Sequence, residues 1–240
     1  MSQQTIAVVF GGSLGIGEAT AKVLKDGGAK VTIVGRNADR LAAAAERIGG
    51  VESAVADALD RDAISRVFEK TGSVDAVIIC VAGSAKGIGG FLELDLDDVK
   101  AAFEQKALAQ LRVAQVAARH MRPDGSITFV TATSARTAIP GAVGPGAVNG
   151  AIEGTVLSLA KELAPIRVNA VSPGLIDTPL WDFMPADARS TFLSTVGAKT
   201  PLRRPGRAIE VAEIIAAVAK CGYVTGSIYE VDGGGRMASL

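Results

Sequence analysis

One histidine, two cysteines and two tyrosines are all that 240 residues supply of the side chains that most often serve as acids, bases and nucleophiles. The lone histidine, His120, removes every Ser/His/Asp or Cys/His scheme unless that one residue is placed for it. It lies in AARHMRPDG, at the end of an expected helix, where a contact with the negative helix terminus accounts for it. Cys80 and Cys221 are too few for a disulfide framework and too far apart for a CxxC metal site, so both read as buried small hydrophobes and no metal is expected. No run of 18 apolar residues occurs, and the opening MSQQTIAVVFGG lacks a basic segment followed by an apolar stretch and a cleavage site. The chain therefore reads as soluble and cytoplasmic. Neither sign of charge is in excess: 25 basic residues meet 25 acidic ones with no Lys/Arg block, which excludes the electrostatic footprint of a nucleic-acid binder.

Apolar residues, by contrast, make up 48% of the chain and fall in a regular pattern. TIAVVF (5–10), KVTIVG (30–35), ESAVAD (52–57), DAVIICVA (75–82), GSITFVTA (125–132), IRVNAVS (166–172) and SIYEVDG (227–233) are short, rich in Val and Ile and nearly continuous in apolarity. Strands buried on both faces of a parallel sheet look like this. Between them, 15–26, 37–48, 60–70, 97–121, 146–163 and 207–219 carry helical spacing. No linker, repeat or low-complexity tract intervenes, so the pattern predicts a single Rossmann-type α/β domain over 1–240, a doubly wound sheet of seven parallel strands in three α/β/α layers. Segment 179–205 breaks the alternation, with prolines at both ends and Trp181, Phe183 and Met184 near its start. An insertion after the carboxyl end of a strand overlies the ligand crevice of such a sheet, which makes it a candidate substrate lid; the other reading is an apolar lobe packed for stability.

In VVFGGSLGIGEATAKVL, Gly11, Gly15 and Gly17 follow the first strand directly and open a helix, with Ser13, Leu14 and Ile16 in the same turn. Glycines there permit a tight turn and let phosphates approach the free N–H groups of the helix N-terminus, which points to dinucleotide binding. The spacing Gxxx-GIG, rather than GxGxxG, resembles the short-chain dehydrogenase/reductase family, and the resemblance runs to the C-terminus. Phe10 stands where the family has a threonine. VADALD looks like its adenine-contacting element, which implies roles for the Asp57 side chain and the Ala58 backbone. CVAG (80–83) occupies the Asn-Asn-Ala-Gly position, with Ala82 and Gly83 kept. IRVNAVSPGLIDTP implies that Pro173, Gly174, the backbone at Ile176 and the hydroxyl of Thr178 hold the nicotinamide carboxamide. At the end of the second strand, VTIVGRN offers Arg36 and Asn37 and no acid. A carboxylate there would bind the ribose hydroxyls and repel a 2′-phosphate, whereas a guanidinium pairs with one, so NADP(H) is expected over NAD(H).

The resemblance also implies an Asn-Ser-Tyr-Lys set, in which the tyrosine donates a proton to the developing alkoxide. An ungapped alignment puts Lys106, Ala132, Pro145 and Asn149 at those four positions, and Tyr223 and Tyr229 lie near the last strand, beyond any small register error. All four members are replaced. The pattern is similar to an atypical branch of the family in which a lysine on the long helix and an asparagine on the catalytic helix recur. Lys106 shares an apolar helical stripe with Phe103 and Val113, where partial desolvation would lower its pKa and make it a proton donor near neutrality; alternatively it snorkels to solvent or pairs with Glu104 or with an acid across an oligomer interface. Thr131, Thr133 and Ser134 flank the empty serine position, and Ser134 is a candidate for orienting substrate. Asn149 either bonds the nicotinamide ribose or starts the helix. These readings predict an NADP(H)-dependent oxidoreductase acting on a small, largely apolar carbonyl or imine compound through a nonstandard donor. The rival is a noncatalytic NADP(H)-binding sensor or scaffold. The family resemblance further implies a homodimer or homotetramer built on helices 97–121 and 146–163.

Overall fold

The computed structural model describes residues 4–83 and 86–238. Seven parallel strands form one sheet: β1 (Ile6–Phe10), β2 (Lys30–Gly35), β3 (Glu52–Val55), β4 (Val74–Ile79), β5 (Met121–Val130), β6 (Arg167–Pro173) and, last in the chain, β9 (Ile228–Val231). Their order is β3-β2-β1-β4-β5-β6-β9, so the winding reverses between β1 and β4. Side chains alternate across β1: Val8 and Phe10 enter a core shared with α3 (Arg61–Thr71), α5 (Ala109–Ala117) and α6 (Val143–Glu162), while Ala7 and Val9 enter the other, against α1 (Gly15–Asp26), α2 (Ala38–Ile48) and α8 (Ala208–Lys220). A strand covered on both faces has no polar side, which is why its sequence is apolar without alternation.

Local chemistry sets the helix starts. Asn37 caps α2 by accepting from the Arg40 amide at 2.8 Å, and Asp60 caps α3 by accepting from Asp62 and Ala63. Helix α6 begins at Val143, ahead of the expected 146, because Pro145 sits in the first turn, where a missing N–H costs no hydrogen bond. Asn149 therefore lies in the second turn and does not start the helix.

Expected helix 97–121 is three pieces: α4 (Leu96–Ala102), a π-helical turn over Phe103–Leu108, and α5, which ends at Ala117. His120 lies beyond that end, and its ring stacks on Phe68 with centroids 5.4 Å apart. Strand β5 starts at Met121, with a register shift between its pairings to Val74 and Ala76, and Arg122 holds that edge through Asp75 at 2.8 Å. Cys80 is half-buried, but Cys221 is exposed, contrary to its reading as a buried hydrophobe.

Segment 179–205 contains α7 (Ala186–Lys199) and is bracketed by a two-stranded parallel pair, β7 (Ile176–Asp177) and β8 (Gly206–Arg207). Arg203, in the connection to β8, holds a left-handed backbone with φ of 55°. A β-carbon is strained there, so Arg203→Gly should raise stability by about 0.5–1 kcal/mol. The check is a urea midpoint that moves up at unchanged slope; a lower midpoint would mean that the arginine side chain contributes more than its backbone costs.

Candidate active site

At the reversal point, the carboxyl ends of β1, β2, β4, β5 and β6 open onto a cleft of about 660 Å³. Its floor is the turn from β1 into α1. Gly11 has φ of 76° and Gly15 of 57°, and a β-carbon on Gly11 would lie 2.6 Å from the Cys80 carbonyl oxygen. Gly17 is tighter still: its β-carbon would meet the Gly11 carbonyl oxygen at 2.1 Å. Only glycine fits such backbone-to-backbone contact. Leu14, at the N-cap of α1, provides no side-chain cap, so the first-turn N–H groups stay available to a ligand. Ser13, Leu14 and Ile16 line the cleft at this turn.

Along one side stand Arg36, Asn37 and Arg40, followed by Asp57, whose carboxylate accepts from the Leu59 amide at 2.9 Å, and Ala58. Ala82 and Gly83 line the middle, and Pro173, Gly174, Ile176 and Thr178 the far wall, closed by Leu180 and Trp181. Of the expected cofactor contacts, Asn149 alone is missing from this lining. Arg40 is one that the sequence reading passed over: it sits four residues after Arg36, in the first turn of α2. The glycine cradle and the two arginines suit a dinucleotide phosphate chain.

Toward the wall beyond Gly83, the π-helical turn carries Lys106 into the lining, with Gly83 packed against its Cβ. Single π turns inside α-helices recur at functional sites. Burial brings the Lys106 ammonium down to about 8, against a weaker opposing pull from Cys80 and Glu153. Burial pushes the Cys80 thiol up to about 12, which leaves it neutral and unreactive at neutral pH. Among the described residues lining the cleft there is no tyrosine or histidine, and Lys106 is the one lysine. Tyr223 is fully exposed.

Behind this wall, Thr131 donates its hydroxyl to Glu153 at 2.8 Å, and Glu153 pairs with Arg136 at 2.9 Å, its side chain only 6% exposed. Arg136 reaches on to Glu230 at 2.8 Å, and Glu230 to Arg236 at 2.7 Å. Glu153 went unnoticed in the sequence, although it falls one helical turn after Asn149 on the same face of α6. Ser134 and Asn149 come together, but with each other: the Asn149 amide donates to Ser134 Oγ at 3.1 Å and to the Pro145 carbonyl at 2.9 Å, and neither residue lines the cleft. The Asn149 carbonyl oxygen is buried without a partner among the described residues.

A glycine cradle at the reversal point of a parallel sheet defines a doubly wound dinucleotide-binding protein. Comparison with known proteins gives the family. The family model described as enoyl-(acyl carrier protein) reductase matches residues 11–235. The cis-4-hydroxycyclohexanecarboxylate dehydrogenase of Sinomonas cyclohexanicum is 36% identical over 248 residues, 96% of each chain. A cyclic-di-GMP-binding biofilm dispersal mediator protein of Escherichia coli is 30% identical over 234 residues, 94% of each chain. A small-chain dehydrogenase solved in complex with NADPH is 31% identical, with a TM-score of 0.85 over 98% of this chain and 100% of that one. The chain belongs to the short-chain dehydrogenase/reductase family of oxidoreductases.

The contact between Gly17 and Gly11 yields a test that needs no ligand. Because backbone meets backbone, Gly17→Ala forces α1 away from β1, and a loss of about 2–3 kcal/mol is expected. Chemical denaturation measures it. A variant as stable as the parent would show that α1 can slide at no cost.

Proposed function

We propose that this chain is an NADP(H)-dependent oxidoreductase that reduces a small carbonyl or imine compound, with Lys106 as its proton donor. One observation carries the reading: among the described residues of the cleft lining, Lys106 alone combines an available proton with a pKa of about 8. A general acid works best when its pKa lies near the working pH. The residues fit the cofactor. The Gly11–Gly17 turn would hold the pyrophosphate, Arg36 and Arg40 a 2′-phosphate, Asp57 and Ala58 the adenine, and Ala82, Gly83 and the stretch from Pro173 to Thr178 the ribose and nicotinamide. When bound, NADPH supplies the hydride. Lys106 gives a proton to the substrate oxygen or nitrogen and recovers it from water. Ser134, turned toward Asn149, keeps a supporting role through that pair, and the apolar wall excludes water.

The chain is read as one domain with segment 179–205 as its lid. Trp181 ties the start of that segment to the Ile176 carbonyl at 2.9 Å and packs on Phe192 of α7, while Arg189 of α7 bonds the Thr178 carbonyl at 3.3 Å. Lid movement would thus be felt at Thr178. A homodimer or homotetramer built on α4 to α6 is supported by Leu108 and Leu157, 49% and 72% exposed on those helices. Among the described residues no helix is long and apolar enough to cross a membrane. The second reading, a noncatalytic NADP(H)-binding sensor or scaffold, draws on the absence of tyrosine from the described cleft lining and on the similarity to the Escherichia coli relative, a protein named for nucleotide binding.

Cofactor choice is tested on Arg36. NADPH should bind at least about tenfold tighter than NADH, and Arg36→Ala should remove about 1.5–3 kcal/mol of that preference. Equal calorimetric affinities in the unmodified protein would defeat the assignment.

Donor and binder separate at Lys106. The donor must carry its proton, so kcat/KM, which reports the free enzyme, should hold below pH 8 and fall as pH rises through about 8. Lys106→Met keeps the packing of the aliphatic stem, so NADPH affinity should stay within a few-fold while turnover falls about 100-fold. Turnover that survives the substitution removes Lys106 as donor. No NADPH oxidation across aldehydes, ketones, quinones and imines would favour the binder.

A further inference from the structure

Charge is distributed unevenly around the cleft. Arg36, Arg40 and Asp57 stand toward β2 and β3, whereas the wall formed by Val81, Ala82, Val130, Ala132, Leu180 and Trp181 is largely apolar, its polar members being Gln105, Lys106, Thr131 and Thr178, of which Lys106 alone is a cation. Thr131 has committed its proton to Glu153 at 2.8 Å, and the charge of Glu153 is balanced by Arg136 at 2.9 Å. Lys106 itself has neither a hydrogen bond nor an ion pair among the described residues, only the weaker pull of the Glu153 charge. A half-buried ammonium without a counter-ion is costly, and an anion entering the cleft would offset that cost.

The same ammonium is also the proton source for the reacting oxygen. It carries three N–H donors, so it can serve the anion and the reacting oxygen together, most compactly when the two lie on adjoining carbons. Resting on the reading of Lys106 as donor, we propose that the substrate is a 2-oxo acid, its carboxylate and neighbouring carbonyl oxygen both held by Lys106 against the apolar wall. The balance is that of a ketone reduction. The carbonyl carbon gains a hydride with its electron pair from the reduced cofactor, the C=O π pair moves to oxygen, and that oxygen takes a proton from the ammonium. The product is a 2-hydroxy acid, and the neutral amine is reprotonated by water.

Oxamate, a nonreducible analogue of a 2-oxo acid, reads the anchor without turnover. An anion beside Lys106 favours its charged form, so binding at pH 8 should take up about half a proton, measured by calorimetry in buffers of different ionisation enthalpy, with and without NADPH. Lys106→Met should abolish both binding and uptake. Lys106→Arg should retain oxamate binding without proton uptake and turn over poorly, because a guanidinium holds its proton too tightly to donate it. In turnover, a 2-oxo acid should exceed its own methyl ester by about 100-fold in kcat/KM, the scale of a lost charged hydrogen bond. Ketone or ester reduction without oxamate binding overturns the anchor and leaves the reductase reading intact. Oxamate binding with proton uptake, but no turnover of any carbonyl, sustains the anchor and removes the reductase reading.

Discussion

The Gly11 carbonyl oxygen lies where a β-carbon on Gly17 would be, and the rest of the cleft depends on that contact. Gly11 donates its amide to Val34 at 2.8 Å, which ties the end of β1 to the end of β2, and its own Cα faces the Cys80 carbonyl after β4. One turn therefore locks three strand ends and the start of a helix at backbone distance. Any side chain there would lift α1 away and carry its free N–H groups out of the cleft.

The opposite wall is held by different means. At the end of β5 and two residues past the end of β4, the buried Gln110 bridges the two segments: its Nε2 donates to the Val81 carbonyl at 2.8 Å and to the Val130 carbonyl at 3.0 Å. Next to it, the chain of polar groups from Thr131 through Glu153, Arg136 and Glu230 to Arg236 crosses from β5 to α6 and on to β9. A carboxylate as buried as Glu153 persists only when paired, and Arg136 and Thr131 fill that requirement. The result is a paired network behind Lys106, the one lysine among the described residues lining the cleft.

Helix α6 has turned its polar groups away from the cleft. The Asn149 amide is satisfied by Ser134 and by the Pro145 carbonyl of its own first turn. What lines the cleft on this side is Val130, Thr131 and Ala132, with Lys106 presented by a helix that widens to a π turn at that point. The relatives at 30 to 36% identity carry names that include both dehydrogenases and a nucleotide-binding mediator. The fold is thus shared by proteins named for different tasks, and the cleft side chains must decide between them.

The sequence alone determined the seven strands, six of the helical stretches and the glycine turn that floors the cleft. Those signals are local: strands buried on both faces need unbroken Val/Ile runs, and a phosphate turn needs glycines at particular spacings. The long helix read as one piece because apolar spacing hardly distinguishes an α turn from a single π turn, and the difference arises where Gly83 packs against Lys106. Glu153 was illegible for a similar reason. A glutamate in a helix is ordinarily solvated, and only the tertiary approach of Thr131 and Arg136, from 22 and 17 residues away, makes its burial possible. Asn149 and Ser134 were expected in the cleft, yet the docking of α6 turns them to each other, with the Asn149 amide also held by the Pro145 carbonyl. Periodicity records which face of an element is covered; which polar groups meet across the covered face is settled by packing between segments distant in the chain.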